Sequence, residues 1–307
     1  MPAIATGLKP SDLADHVGDG LAAFEGIVMP TRAQLTAVRQ MHSLLKMGEK
    51  QPEGQQRRAY RYLHQSGAGK STCAKILVAF VESEAGYDPA TRPVLHVTLS
   101  TTGTPKSLAS SILDALGDNY STRGEAELLL RRVRQGLKDL QVKLLIIDEL
   151  NHFKQKSLAT DAANTIKNIL SLGWVPIVLM GTTDAQSLFA NNRELKNRCA
   201  PQVVLAPYGD SAADEGEWAR LLGRIDAAMV QRQIVRRHSG LGEEGLAAKL
   251  RLCSNGLIGE FHNILMTALE ATLLADEDSI GYQRLVDAVD AWCMSDATID
   301  RNFLKDA

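Results

Sequence analysis

A chain of 307 residues, 45% hydrophobic and 23% charged, has the make-up of a globular protein of about two domains. Its formal net charge of −2 excludes a globally basic nucleic-acid binder but not a local basic stripe. Cys73, Cys199, Cys253 and Cys293 show no C-x-x-C spacing and read as reduced thiols, not a metal site; no run approaches the roughly eighteen apolar residues of a membrane span.

Residues 1–25 are mixed and Gly-containing and are expected to form a loose N-terminal arm. They have neither a basic start nor an apolar stretch, so no signal peptide and a cytoplasmic setting are expected. In the next segment Thr31 and Gln34 form a capping box after Pro30, and Leu35, Val38, Met41 and Leu45 share one helix face. Val28 and Met29, just upstream, either cover an adenine ring or pack into the core. A polar linker leads to a short β-type run, Tyr60 to Leu63.

The stretch HQSGAGKST follows, from His64 to Thr72, and then an apolar helical pattern from Cys73 to Phe80. Strand, Gly-rich turn, Lys-Ser and helix are the parts of a nucleotide phosphate-binding loop. His64, Gln65, Ser66, Gly67, Ala68, Gly69, Lys70, Ser71 and Thr72 are its candidate contacts. Gly67 and Gly69 let successive N–H groups turn inward toward an anion, and the helix N-terminus adds partial positive charge. Lys70 can reach the β- and γ-phosphates, and the Ser71 hydroxyl can ligate Mg²⁺. His64 stands where the motif has its first Gly, which a residue with negative φ tolerates.

A second β-type run spans Pro93 to Ser100. A helix follows, with Thr104 as N-cap, Pro105 in its first position and Leu108, Ile112 and Leu116 as its stripe. Another helix carries Arg131, Arg132 and Arg134, read as a solvated face. LLIIDE, Leu144 to Glu149, reads as a buried parallel strand that delivers two carboxylates at its C-terminal edge. Asp148 would hold Mg²⁺ through water and Glu149 would polarise the attacking water. A helix over Ser157 to Leu172, a fourth strand ending in Thr182 and Thr183, and a fifth strand over Gln202 to Tyr208 complete an α/β region. Beyond Tyr208 only helical patterns remain, so the expected division is an arm at 1–25, a nucleotide-binding α/β domain at 26–208 and an all-α lid at 209–307.

One β-type run and two helical patterns separate Lys70 from Asp148, Glu149 follows Asp148 directly, and Thr ends the next strand. This resembles the AAA+ ATPases. The resemblance implies a five-strand parallel sheet of order 5-1-4-3-2, with Thr182 or Thr183 as the residue sensing the γ-phosphate. It also implies an arginine finger, Arg198 or else Arg193, acting on ATP in a neighbouring subunit. No Arg follows Gly256 in the lid, where AAA+ proteins carry a second sensor.

The stretches GIVMPTRAQL, SGAGKST, PVLHVTLSTTGTPKSLASSILDALG, LLIIDELNHF, PIVLMGTTDA, ELKNRCAP and GLIGEFHNILMTALEA are similar to the bacterial TniB/TnsC family of transposition ATPases, and more distantly to MuB-like proteins. His64 departs from its first Gly, and Cys199 stands where the family often has Phe. The resemblance implies a Mg²⁺- and ATP-dependent homo-oligomer or helical filament on double-stranded DNA, working with a DDE transposase and a target-selection protein. Its DNA-backbone contacts would fall on Lys106, Thr122 and Arg123, with Lys154 and Lys156 as further candidates. The alternative is an AAA+ loader or signalling switch that remodels a protein partner without gripping DNA. A small-molecule kinase is disfavoured, because the extra helices follow the α/β region instead of interrupting it.

Overall fold

The computed structural model describes residues 10–100, 104–152, 156–190, 192–295 and 298–306. In chain order the elements are α1 (Pro10–Glu25), α2 (Arg32–Lys50), β1 (Ala59–Leu63), α3 (Lys70–Glu82), β2 (Val94–Thr98), α4 (Pro105–Leu116), α5 (Ala126–Asp139), β3 (Leu144–Asp148), α6 (Lys156–Ser171), β4 (Ile177–Gly181), α7 (Gln186–Ala190), α8 (Arg193–Arg198), α9 (Ala212–Gln231), α10 (Glu244–Cys253), α11 (Ile258–Leu274) and α12 (Tyr282–Val289). They form two compact units: residues 32–205, and residues 1–31 together with 206–307. Among the described residues no helix is long and apolar enough to cross a membrane.

The unit 32–205 is a parallel sheet of order β1-β4-β3-β2 between helical layers. Every residue of β3 and β4 is buried, which is why both read as unbroken apolar runs. Strand alternation divides them between two cores. Leu145, Ile147, Ile177 and Leu179 join Leu108, Ile112, Val133 and Ile166 from α4, α5 and α6, while Leu144, Ile146, Val178 and Met180 join Met41, Leu45 and Leu77 from α2 and α3. Truncating one such side chain to Ala costs about 2–5 kcal/mol. Thr104 caps α4 as expected: it accepts from the Ser107 N–H while Ser107 Oγ accepts from the Thr104 N–H.

Among the described residues the sheet has four strands, not the expected five. The run from Gln202 runs beside β1 without making a ladder. Cys199 bridges to Ala59 in parallel fashion, and the Ala200 N–H donates to Ala59 O at 2.9 Å. Continued pairing would bring the N–H of residue 202 to Arg61 O; the bond comes instead from Val203, at 3.1 Å. Pro201, its φ fixed by the ring, interrupts the extended run, and the chain slips by one residue there.

The second unit is built on one core. Residues 1–25, expected to be a loose arm, include α1, whose Leu13, Val17 and Phe24 join Trp218, Phe261, Leu265 and Leu269. Gly20 lets α1 approach α11: a Cβ there would lie 2.6 Å from a Leu273 methyl. Met29 packs against this core, whereas Val28 is exposed.

Candidate active site

β1 ends at Leu63 and α3 begins at Lys70, so the six residues between must turn the chain sharply. Gly67 and Gly69 adopt φ of 76° and 81°, which other L-residues rarely adopt. Gly69 is the N-cap of α3 and supplies no side-chain cap, so the first-turn N–H groups keep their capacity for an anion. From α2, Gln34 Nε2 donates to Gly69 O at 3.4 Å, bracing the loop from outside.

Lys70 is almost fully buried. Its ammonium donates to His64 O at 2.9 Å and to Gln65 O at 3.0 Å, using two of its three hydrogens on the loop's own carbonyls. Burial lowers its pKa, against the opposing pull of Asp148 and Glu149. Ser71 Oγ donates to Asp148 Oδ2 at 2.7 Å. β3 delivers Asp148 to this point, and the carboxylate also accepts from the Glu149 N–H at 2.8 Å. His96 Nε2, on neighbouring β2, stands 3.5 Å from Asp148 Oδ2. Burial raises the Asp148 carboxyl, but contacts from His96, Ser71 and the Glu149 N–H outweigh it and hold the pKa below the ordinary value.

Glu149 adopts φ of 64°, an uncommon conformation for a non-Gly residue that costs backbone energy. It turns the chain out of β3 and into the helical turn Leu150–His152. Glu149 Oε2 accepts from Asn151 Nδ2 at 3.0 Å, and Asn151 Oδ1 accepts from the Thr182 N–H at 3.3 Å. Asn151 therefore ties the second carboxylate to the end of β4. Close packing helps: a Cβ on Gly181 would sit 3.1 Å from the Leu150 Cβ. Thr182 Oγ1 lies 3.5 Å from Asp184 Oδ2, and Thr183 opens a further helical turn.

His64 proves to be more than a substitute for glycine. Its φ is not positive, so the backbone tolerates a side chain, and that side chain reaches the segment beside β1. Nε2 lies 2.6 Å from Val203 O and 3.2 Å from the Leu205 N–H. One nitrogen cannot donate and accept at once, and the shorter contact makes it the donor to Val203 O. Burial, the largest influence, lowers the His64 pKa. Gln202 Nε2 donates to Leu63 O at 2.6 Å, so side chains supply the stitching that backbone pairing lacks.

The remaining candidates are dispersed. Arg198 precedes Cys199, which pairs with the first residue of β1, so it sits a strand length, about 16 Å, from the phosphate loop. Its Nη1 donates to Glu194 O at 2.9 Å within α8; Arg193 is exposed at the start of that helix. Lys106 is exposed in the first turn of α4. Thr122 and Arg123 are exposed in the loop after α4, where Arg123 stacks over Tyr120 at 4.8 Å. Arg132, expected on a solvated face, instead braces this loop by donating to Tyr120 O and Arg123 O at 3.1 and 3.2 Å. Lys154 lies outside the described residues.

Residues 27–208 match the family model described as Bacterial TniB protein. The chain belongs to the TniB family. No curated protein matches it in sequence. Among solved structures, this TniB-family chain is similar to the ORC1 protein of Aeropyrum pernix in complex with DNA (TM-score 0.58, 17% identity, covering 85% of this chain and 65% of that one). It is also similar to the Aeropyrum pernix ORC2 protein in ADPNP-ADP complexes (0.61, 16%, 87% and 71%) and to Cdc6p of Pyrobaculum aerophilum (0.62, 13%, 88% and 70%). At these identities the likeness is one of fold, and the chain spans about two thirds of the length of these proteins.

Proposed function

We propose that this TniB-family chain is a Mg²⁺-dependent ATPase that assembles on double-stranded DNA and engages a DDE transposase and a target-selection protein there. The observation that carries the ATPase reading is the Ser71–Asp148 pair, 2.7 Å apart, below a glycine loop that holds Lys70 at its mouth. A hydroxyl and one carboxylate suit Mg²⁺, which keeps several waters and takes further oxygens from nucleotide phosphates. Bound there, the ion would neutralise charge on the β- and γ-phosphates.

The chain's own groups divide the remaining work. The N–H groups of the loop and of the first turn of α3 cradle the phosphates, and Lys70 exchanges carbonyl partners for phosphate oxygens. Glu149 orients and polarises the attacking water, held in place by Asn151, while Thr182 senses the γ-phosphate. Arg198, too far from its own loop, serves the loop of a neighbouring subunit. Lys106, Thr122 and Arg123 take DNA phosphates, a contact that positions without reading sequence.

The test joins nucleotide and DNA. With ATP and Mg²⁺ the protein should sediment with random duplex DNA, losing affinity steeply with added salt. Lys70→Ala should lower ATP affinity by at least about tenfold, the scale of one lost charge-assisted contact. Unchanged ATP affinity in that variant would overturn the phosphate-loop assignment. An active ATPase that binds no duplex at low salt would instead favour a switch acting on protein partners alone.

A further inference from the structure

At the N-terminal ends of the strands, opposite the phosphate loop, lies an open cavity of about 280 Å³. Three cationic side chains line it: Arg134 and Lys138 from α5, and Lys143 just before β3. One carboxylate, Glu53, answers them through an ion pair with Lys138 at 2.5 Å. The influence of Lys138, and then of Arg134, lowers the Glu53 pKa, so the local field is positive on a chain whose net charge is −2. A fourth cation, Arg57, closes the wall; it is already committed to Gly173 O and Gln51 Oε1.

Trp174 lines the same cavity, with Arg134 over its ring at 5.8 Å. Its indole Nε1–H is buried and meets no acceptor among the described residues. A buried donor of this kind calls for a partner. The walls are also apolar in part, and Leu172 at the cavity is 56% exposed.

We propose that this cavity docks an acidic peptide segment of a partner protein. Its carboxylates meet Arg134, Lys138 and Lys143, one acceptor takes the Trp174 N–H, and an apolar side chain covers Leu172. Arginine-bearing clusters are a common means of capturing acidic motifs. Size favours this ligand over a nucleotide, since the volume lies at the lower limit of small-molecule pockets. Concavity and apolar walls favour it over a DNA backbone, which needs a charged ridge and no hydrophobic contact. The site is separate from the ATP site and does not depend on it.

A random dodecapeptide display library, panned on the full chain with Lys143→Glu protein as counter-selection, tests this. Selected peptides should be rich in Asp and Glu beside an apolar residue. They should bind Lys143→Glu and Arg134→Gln at least tenfold more weakly, lose affinity when their acids become amides, and shift the Trp174 indole resonance, which is assigned by its loss in Trp174→Phe. ATP affinity should be the same in both variants, showing that they are folded. The proposal falls if no acidic consensus emerges, or if the variants bind the peptides as well as the parent does. It also falls if inorganic phosphate or duplex DNA alone produces the same indole shift, because either would then be the ligand.

Discussion

The two ends of the sheet carry similar residue types in different states. At the C-terminal ends of the strands, Lys70 is buried and spends two donors on carbonyls of its own loop. The carboxylate beside it, Asp148, accepts from Ser71 and from the Glu149 N–H. At the N-terminal ends, among the described residues, the buried Trp174 N–H has no acceptor. A self-satisfied site can exist without ligand at little cost, and it binds by exchanging partners. An unsatisfied one gains its missing contact only when something arrives. The difference therefore separates a site built to cycle from a site built to hold.

The strongest way to break this comparison uses Arg198, which lies near the N-terminal end of β1 and is proposed to serve the phosphate loop of a neighbouring subunit. Arg198→Ala should retain ATP binding and lose about 10³ to 10⁵ in turnover, the worth of an arginine finger. Mixing it with Glu149→Gln protein should restore part of the activity, since one class of interface then combines both intact groups. Wild-type turnover in the single variant would confine catalysis to one end of one chain. A smaller effect sharpens the account of the catalytic end. Asn151→Ala frees Glu149 from the end of β4 and should cut kcat about tenfold, the lower end of what a hydrogen bond to a carboxylate is worth, with KM for ATP little changed. A rise in KM alone would make Asn151 a binding residue instead.

The smallest effect concerns the strap between the two ends. Burial lowers the His64 pKa below the ordinary 6.5, so the folded protein prefers the neutral ring and the unfolded chain takes up the proton more readily. The stability His64 contributes is full above pH ~6.5 and is lost as the pH falls through that value. Urea unfolding at pH 7.5 should show His64→Gly destabilised by about 1 kcal/mol. The gap should close at pH 5.5. A gap that widens on acidification would mean that the ring is charged in the fold.

Much of this was legible in the sequence because the physics was local. β3 and β4 read as buried strands since both faces are apolar, and the phosphate loop read as such since its positive-φ turns demand glycine at Gly67 and Gly69. His96 was not legible: it reaches Asp148 only through the register that pairs Thr98 with Asp148, and one sequence carries no sign of that. Asn151 stands two residues from Glu149, but its reach to Thr182 depends on the packing of Gly181 against Leu150. The run after Pro201 carries β-type residues, and a proline at its start, a residue confined to strand edges and bulges, was the available signal against a fifth strand. In residues 1–25, the spacing of Leu13, Val17 and Phe24 marks a helix face, with Gly18 and Gly20 diluting the pattern. The basic cavity draws on segments far apart in the chain, so its composition emerges only on folding.

The slip after Pro201 has a further consequence. An outer strand with all its N–H and C=O groups on offer invites another chain to add itself, and such growth has no natural end. The backbone beside β1 is an imperfect guard in hydrogen-bonding terms, but it occupies the edge while presenting a proline and a broken repeat to anything approaching. Another copy is thereby steered away from adding a strand at the β1 edge.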